Sequence, residues 1–397
     1  MFLNSFQQLK FYCESQNFAG WDPYDGLNSK VFQATPLRHW DLARLAWIQG
    51  FKRSPINFRR LLLVPKQHNA KGIGLFLTGY CNLYRAQQAS GNDEFGTADE
   101  ILAKINYLAN LLISLQSKGC SGACWGYNFD WQSKAFFLPK GSPTVVATSF
   151  CVEALLNAFE ITGEECYKTV ALSSEGFILN DLNRIEKESG FMFSYSPLDN
   201  RAVYNATLLG SKTLALINKC RPSQKACISA KTSAIAVCST QNPDGSFPHS
   251  DQVGNKWRDS FHTGFKLESL SFYQRYCQDD SFSLNIEKGF NYWLKSFFDF
   301  KTGRAYYYDT KGDLVDLHCA AQALATFYKL GEMKSNFQLA TRIIEWAVSN
   351  MQSDNGSFNF QKIGTKMNKI KYMRWPNAWM FYGLSYYYLY TAENEKN

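Results

Sequence analysis

The chain has 397 residues, of which 45 % are apolar, 16 % aromatic and 19 % charged. That balance supplies a large buried core and excludes a disordered chain. The 42 Lys and Arg outnumber the 34 Asp and Glu to leave a net charge of +8, a mild basic bias that suits an anionic ligand but lacks the dense basic footprint of a nucleic-acid binder.

The opening segment, MFLNSFQQLKFYCESQ, has neither a basic start nor an unbroken apolar stretch, and no later run of about 18 apolar residues is free of charge. The expectation is a chain with no signal peptide and no membrane span. The 11 cysteines are odd in number and lie among apolar residues, and the closest pair, Cys120 and Cys124, has CxxxC rather than CxxC spacing. They read as reduced, buried thiols and place the protein in the cytoplasm.

A repeat organises the rest. Gln241-Asn-Pro-Asp-Gly245-Ser-Phe247 and Gln352-Ser-Asp-Asn-Gly356-Ser-Phe358 each end an apolar helical run, turn, and give glycine and an aromatic. Looser copies stand at Gln16 to Trp21, Gln116 to Tyr127, Asn180 to Phe191 and Phe297 to Tyr306. Each turn precedes a second helical stretch, at about 71–86, 142–160, 202–219, 259–276, 315–330 and 374–390. In the fifth of these, Ala320, Ala323, Leu324 and Phe327 share one face. Strand-like alternation is nearly absent. Six helical hairpins closing on themselves give an all-α (α/α)6 toroid, a single domain over residues 1–397, with the second helix of each pair on the inside. A linear solenoid is the alternative, and it would show more uniform repeats and polar caps. Residues of about 30–70 are an insertion in the first repeat, expected to pack across the first inner helix.

The Gln-to-Gly turn resembles the repeat turns of isoprenoid cyclases, and the toroid also serves glycoside hydrolases and polysaccharide lyases, so fold alone chooses no chemistry. Asp22-Pro-Tyr-Asp25-Gly-Leu-Asn28, Arg53-Ser-Pro-Ile-Asn57, Trp125-Gly-Tyr-Asn-Phe-Asp130-Trp131, Pro139-Lys-Gly-Ser-Pro-Thr-Val-Val146, Tyr204-Asn205-Ala-Thr, Phe261-His262-Thr-Gly-Phe and Tyr372-Met-Arg374-Trp375 together resemble bacterial exopolysaccharide-biosynthesis proteins of the VpsJ type. The resemblance implies a role in surface-polysaccharide assembly and brings no catalytic residue set with it.

In a helical toroid the starts of the inner helices converge, so polar residues there are the candidates. They are Lys71, Lys140 with Thr144, Asn205, Arg258 with Asp259 and His262, Asp316 with His318, and Arg374 and Trp375 with Asn377. Asp259 and His262 share a helix face at i and i+3, where a carboxylate beside an imidazole makes an acid–base pair, although Asp259 is equally a natural helix cap. Asp316, His318 and Cys319 are metal-ligand types, but neighbours so close do not all face one ion, and no metal is expected. Trp125, Tyr127 and Trp131 beside Asp130, and Tyr306 to Tyr308 beside Asp309, offer rings for sugar faces and carboxylates for chemistry. Hydrolysis would draw two carboxylates from Asp130, Asp259, Asp309 and Asp316. Elimination or epimerisation of a uronate would use His262 or a tyrosine as base, with Asn205 and Arg374 on the carboxylate. The catalytic expectation is therefore Asp259, His262, Asp130 and Asp316, with Asn205, Tyr127, Trp125, Trp131, His318, Arg258, Arg374 and Trp375 binding an oligo- or polysaccharide. No cofactor is expected, since neither a GxGxxG after a strand nor a Walker loop is present. A non-catalytic glycan-binding or assembly protein and an isoprenoid cyclase or prenyltransferase are the rival classes. The second lacks the acidic motifs it needs, because Asp279-Asp280 does not extend to DDxxD and Asp313-Leu-Val-Asp316 is not DxDD.

Overall fold

The computed structural model describes residues 2–133, 136–250 and 257–394. Among these residues fourteen α-helices run in chain order: α1 (Phe2–Ser15), α2 (Lys30–Gln33), α3 (Asp41–Arg53), α4 (Ala70–Ser90), α5 (Ala98–Ser114), α6 (Val145–Thr162), α7 (Glu165–Gly176), α8 (Tyr204–Cys220), α9 (Gln224–Cys238), α10 (Ser260–Cys277), α11 (Ser283–Phe297), α12 (Leu317–Lys329), α13 (Phe337–Met351) and α14 (Ala378–Asn394). Among the described residues strands are confined to short antiparallel ribbons in the connections: β1 (Trp131–Gln132) with β2 (Phe137–Leu138), β3 (Arg184–Lys187) with β4 (Gly190–Phe193), and β5 (Leu314–Asp316) with β6 (Gln361–Ile363) and β7 (Lys366–Asn368).

Helices α4, α6, α8, α10, α12 and α14 form an inner ring in which each packs on the next, and α14 packs on α4 to close it. Helices α1, α5, α7, α9, α11 and α13 lie outside, with α1 against α13 and α14, so both ends of the chain meet at the seam. The fold is the (α/α)6 toroid. The inner helices are buried nearly all round, whereas outer helices such as α11 and α13 bury one stripe. Val145–Thr162 is long and apolar enough to cross a membrane by length and composition, but it is an inner helix with 72 % of it buried inside the protein.

The repeated turn has a mechanical purpose. Gln352 Nε2 donates to Gly356 O at 2.9 Å within its own turn and to Ser5 O at 2.8 Å on α1. Gln241 does the same, donating to Gly245 O and to Asn285 O on α11. Each glycine lies at positive φ, +90° for Gly245 and +81° for Gly356, and presses on the same helix so closely that a Cβ would sit 2.2 Å from Lys288 O or 2.4 Å from Gln8 O. Glutamine and glycine thus clamp one hairpin to the next outer helix.

Two expectations are corrected. The insertion at about 30–70 does not lie along the first inner helix; α3 packs mainly on the 25–28 and 36–39 turns and on β1, and the buried Arg59 fastens the segment by donating to Asp25 Oδ1 at 2.6 Å. Nor are all the thiols reduced: Cys227 and Cys277 form a disulfide between α9 and α10, so the cysteines do not argue for a reducing compartment.

Candidate functional site

The starts of four inner helices are fixed by side-chain caps: Asn69, Thr144, Asp259 and Asp316 accept from Gly72 N, Ala147 N, His262 N and His318 N respectively. The caps set the first-turn residues just beyond them, Lys71, His262 and His318. Asn205 takes the equivalent place on α8, whose Tyr204 amide donates to His249 O at 3.3 Å.

At the start of α10, Asp259 is both cap and partner. Oδ1 accepts from the His262 amide at 2.8 Å, and Oδ2 accepts from His262 Nδ1 at 2.7 Å. That fixes the tautomer and leaves Nε2 as the free nitrogen, which no described residue bonds. His262 is half-buried and Asp259 fully buried. His318 is sandwiched between Phe261, at 4.0 Å and 16°, and Trp379, at 3.8 Å and 29°. Neither of its ring nitrogens has a partner among the described residues. Burial, with the positive field of Lys71, holds its pKa well below the ordinary value, so its imidazole is neutral.

Lys71 completes the group. Its Nζ lies over the rings of Phe150 at 4.3 Å, Phe265 at 5.1 Å and Trp379 at 5.1 Å, and makes no hydrogen bond or ion pair to a described residue. Burial, and then the nearby Arg374, push its pKa well below the usual lysine value. The Oδ1 of Asn205 and Nε1 of Trp379 are also buried and unpartnered. Buried polar atoms are nearly always satisfied in folded proteins. Several unsatisfied ones at the first turns of α8, α12 and α14 are therefore the mark of a ligand site.

The other expected residues divide. Arg374 is buried and forked onto Asp22, with Nε–Oδ2 at 2.5 Å and Nη2–Oδ1 at 2.9 Å; burial alone would lower its pKa, but Asp22 holds it above the ordinary value. It is not free to hold a substrate carboxylate. Tyr127 lies under Arg374 at 5.5 Å and bonds Tyr195 Oη at 2.7 Å, and Trp131 tilts against Tyr195 at 5.9 Å, so these rings form one wall. Trp125 belongs to the core: it is 0 % exposed, and its Nε1 donates to Leu112 O. Asp130 accepts from the Lys140 amide at 2.7 Å and ties together the open end of the β1–β2 ribbon. Arg258 donates to Asp309 Oδ2 at 2.7 Å, an oxygen that Tyr292 Oη also bonds. Asp316 takes bonds from Trp375 Nε1 at 2.9 Å and Gln361 Nε2 at 2.7 Å besides its cap; burial raises its carboxyl, against those bonds. Asn377 holds the chain, accepting from Phe358 N.

Asn205, Asp259, His318 and Arg374 are packed among neighbours instead of lining an open central pocket. A cleft of about 290 Å³ lies to one side, edged by Trp21, Lys66, Lys369 and Lys371. A neck of about 10 Å³ shares Gly20, Trp21 and Met373 with the cleft and leads to Asp22, Gly72 and Arg374.

Sequence reasoning missed His249. It sits ten residues before the capping Asp259, outside any helix, yet its ring stacks on Trp257 at 4.0 Å and stands 5.0 Å from the ring of His262. The signal was scarcity: the chain has five histidines, and three of them, His249, His262 and His318, gather here. Asp316, His318 and Cys319 do not form a metal cluster among the described residues, whereas ligand atoms of His249, Asp259 and His262 do come together.

No described protein family matches the sequence, and no curated protein matches it either. Comparison of folds finds the toroid again in solved structures. Cellobiose 2-epimerase from Bacillus thermoamylovorans superposes with a TM-score of 0.59 at 11 % identity, over 80 % of this chain and 87 % of that one. The glycoside hydrolase family 76 alpha-mannanase from Bacteroides thetaiotaomicron gives 0.59 at 11 %, over 83 % and 87 %. An unsaturated glucuronyl hydrolase specific for heparin gives 0.56 at 14 %, over 81 % and 87 %. At such identities the likeness establishes the fold.

Proposed function

We propose that this protein is a glycan-processing enzyme that moves a proton on a sugar, as an epimerase or a lyase does, and not one that hydrolyses between two carboxylates. The observation that carries this reading is the state of the acids and bases at the inner-helix starts. Asp130, Asp309 and Asp316 are each committed to structural bonds, and Asp259 is committed to His262. A hydrolase needs two carboxylates free to face the scissile bond. What stands ready instead is an imidazole with one nitrogen anchored and the other unbonded, beside a neutral His318 and an unpaired Lys71. His262 takes the proton from the sugar carbon, Asp259 steadies the imidazolium that forms, and Lys71 neutralises the developing charge.

An acidic sugar fits this arrangement best. With Arg374 occupied by Asp22, Lys71 is an amine free to take up a proton as a carboxylate binds beside it, and the cleft rim carries Lys66, Lys369 and Lys371. The toroids of the epimerase, the mannanase and the glucuronyl hydrolase support a carbohydrate as the ligand. The resemblance to exopolysaccharide-biosynthesis proteins supports a place in surface-polysaccharide assembly.

The test is to incubate the protein in D2O with reducing disaccharides and with uronate-containing oligosaccharides. Mass spectrometry follows deuterium uptake at carbon, and ultraviolet absorbance follows a new double bond. One of the two signals is expected, and His262→Ala lowers it by about 10²–10⁴-fold with the fold intact. New reducing ends without either signal would make the protein a hydrolase; tight oligosaccharide binding without turnover would make it a binding protein.

A further inference from the structure

The segment that delivers His249 is held from both sides. Lys266 Nζ on α10 donates to Phe247 O at 3.3 Å and Pro248 O at 3.1 Å, and the Tyr204 amide on α8 donates to His249 O. Trp257 stacks on the imidazole at 18°, so the ring is fixed in orientation as well as in place. Its Nδ1 is buried and has no partner among the described residues. One ligand atom from each of His249, Asp259 and His262 can be chosen so that all three lie within 4.8 Å of one another.

We propose that His249, Asp259 and His262 bind one divalent transition-metal ion of the zinc, cobalt or nickel type. Two imidazoles and one carboxylate are the donor set such ions take. Asp259 Oδ2 and His262 Nδ1 stand 2.7 Å apart in their hydrogen bond and would open to about 3.4 Å to share one tetrahedral ion at bond lengths of about 2.0–2.2 Å. The unpartnered His249 supplies the third donor by closing about an ångström toward them. Three protein ligands leave a fourth position for water or a sugar oxygen. The site uses the nitrogen of His262 that donates to Asp259, so metal and proton compete there, and the loaded form loses the fixed tautomer on which proton transfer relies. The proposal concerns binding and stands whether or not the protein moves protons on sugars.

The experiment uses the full chain, stripped with chelator and then titrated with Co²⁺, read by visible absorption and by calorimetry. One ion per chain is expected, with the d–d bands of a nitrogen- and oxygen-bound centre, and Zn²⁺ bleaches them by displacement. His249→Ala weakens binding by more than about tenfold. His249→Gln serves in its place if circular dichroism shows that the alanine variant is unfolded. His318→Phe, a neighbouring histidine outside the cluster, leaves binding unchanged. Absence of a stoichiometric site, or affinity unchanged by both His249 variants, overturns the proposal. Deuterium exchange measured with and without Zn²⁺ is a separate readout, so failure of the catalytic reading would not be mistaken for failure of this one.

Discussion

Two layers of the same inner helices, both buried and both rich in charge, are built on opposite rules. Two to three turns below the helix starts, Glu153, Lys212, Glu268 and Lys329 form a closed tetrad. Lys212 pairs with Glu153 at 2.7 Å, and Lys329 bridges Glu153 at 2.6 Å and Glu268 at 3.2 Å. Tyr382 and Thr326 fill the remaining valences. Burial alone would raise the Glu153 carboxyl, but the two lysines pull it down to about 2. In the upper layer Lys71, His318 and Asn205 are as deeply buried, and among the described residues Lys71 has only aromatic faces for neighbours while His318 and Asn205 Oδ1 have no partner. Burial therefore does not separate structural charge from functional charge; satisfaction does. The lower layer holds the ring together, and the upper layer leaves valences for a ligand to fill.

Three variants sharpen that contrast. Glu153→Ala leaves two buried ammonium groups facing one carboxylate and is expected to cost about 3–5 kcal/mol in denaturant unfolding. A loss below about 1 kcal/mol would mean that the lower layer is no more structural than the upper. Lys71→Met moves stability the other way. It removes a buried, unpaired amine whose pKa burial holds well below the lysine value, and is expected to raise stability by about 1–4 kcal/mol, while uronate-oligosaccharide binding in calorimetry weakens by about tenfold or more. The smallest effect belongs to His318. Because burial keeps it neutral, the unfolded chain takes up a proton below about pH 6.5 that the folded chain refuses, and stability falls as pH drops. His318→Phe keeps the stack on Phe261 and Trp379 and removes that proton. Between pH 6.5 and 5.5 it is expected to lose about 1 kcal/mol less than the parent. Equal slopes for the two proteins would mean that His318 is protonated in the fold.

The toroid was legible because its signals are local. Helical periodicity and the Gln-to-Gly turn lie within a few residues of each other, and the clamps explain why the turn repeats. Asp259 and His262 were legible for the same reason, being one helical turn apart. What the sequence hid is set by distance. The partner of Arg374 is Asp22, 352 positions away, and no pattern announces that the arginine is already taken. Trp125 looked like a sugar platform because its neighbours are polar, yet its indole points inward to Leu112. Lys71 was named as a helix start and passed over, because its isolation is a property of the packed ring and not of the residues beside it. His249 lies on a connection, where no periodicity guides the eye.

The clamp at Gln352 bears on how the protein is made. Its donor and the Ser5 carbonyl it seizes are 347 positions apart, so α1 emerges from the ribosome long before the partner that locks it exists. Phe6 can meet Phe95 early, but its contacts with Phe381 and Tyr388 wait for α14. Until then the nascent ring is an open arc with apolar edges at both tips, and closing it is a long-range event that slows folding and invites association with other chains. The seam between α14, α1 and α4 is therefore the part of the ring that stays open longest during synthesis.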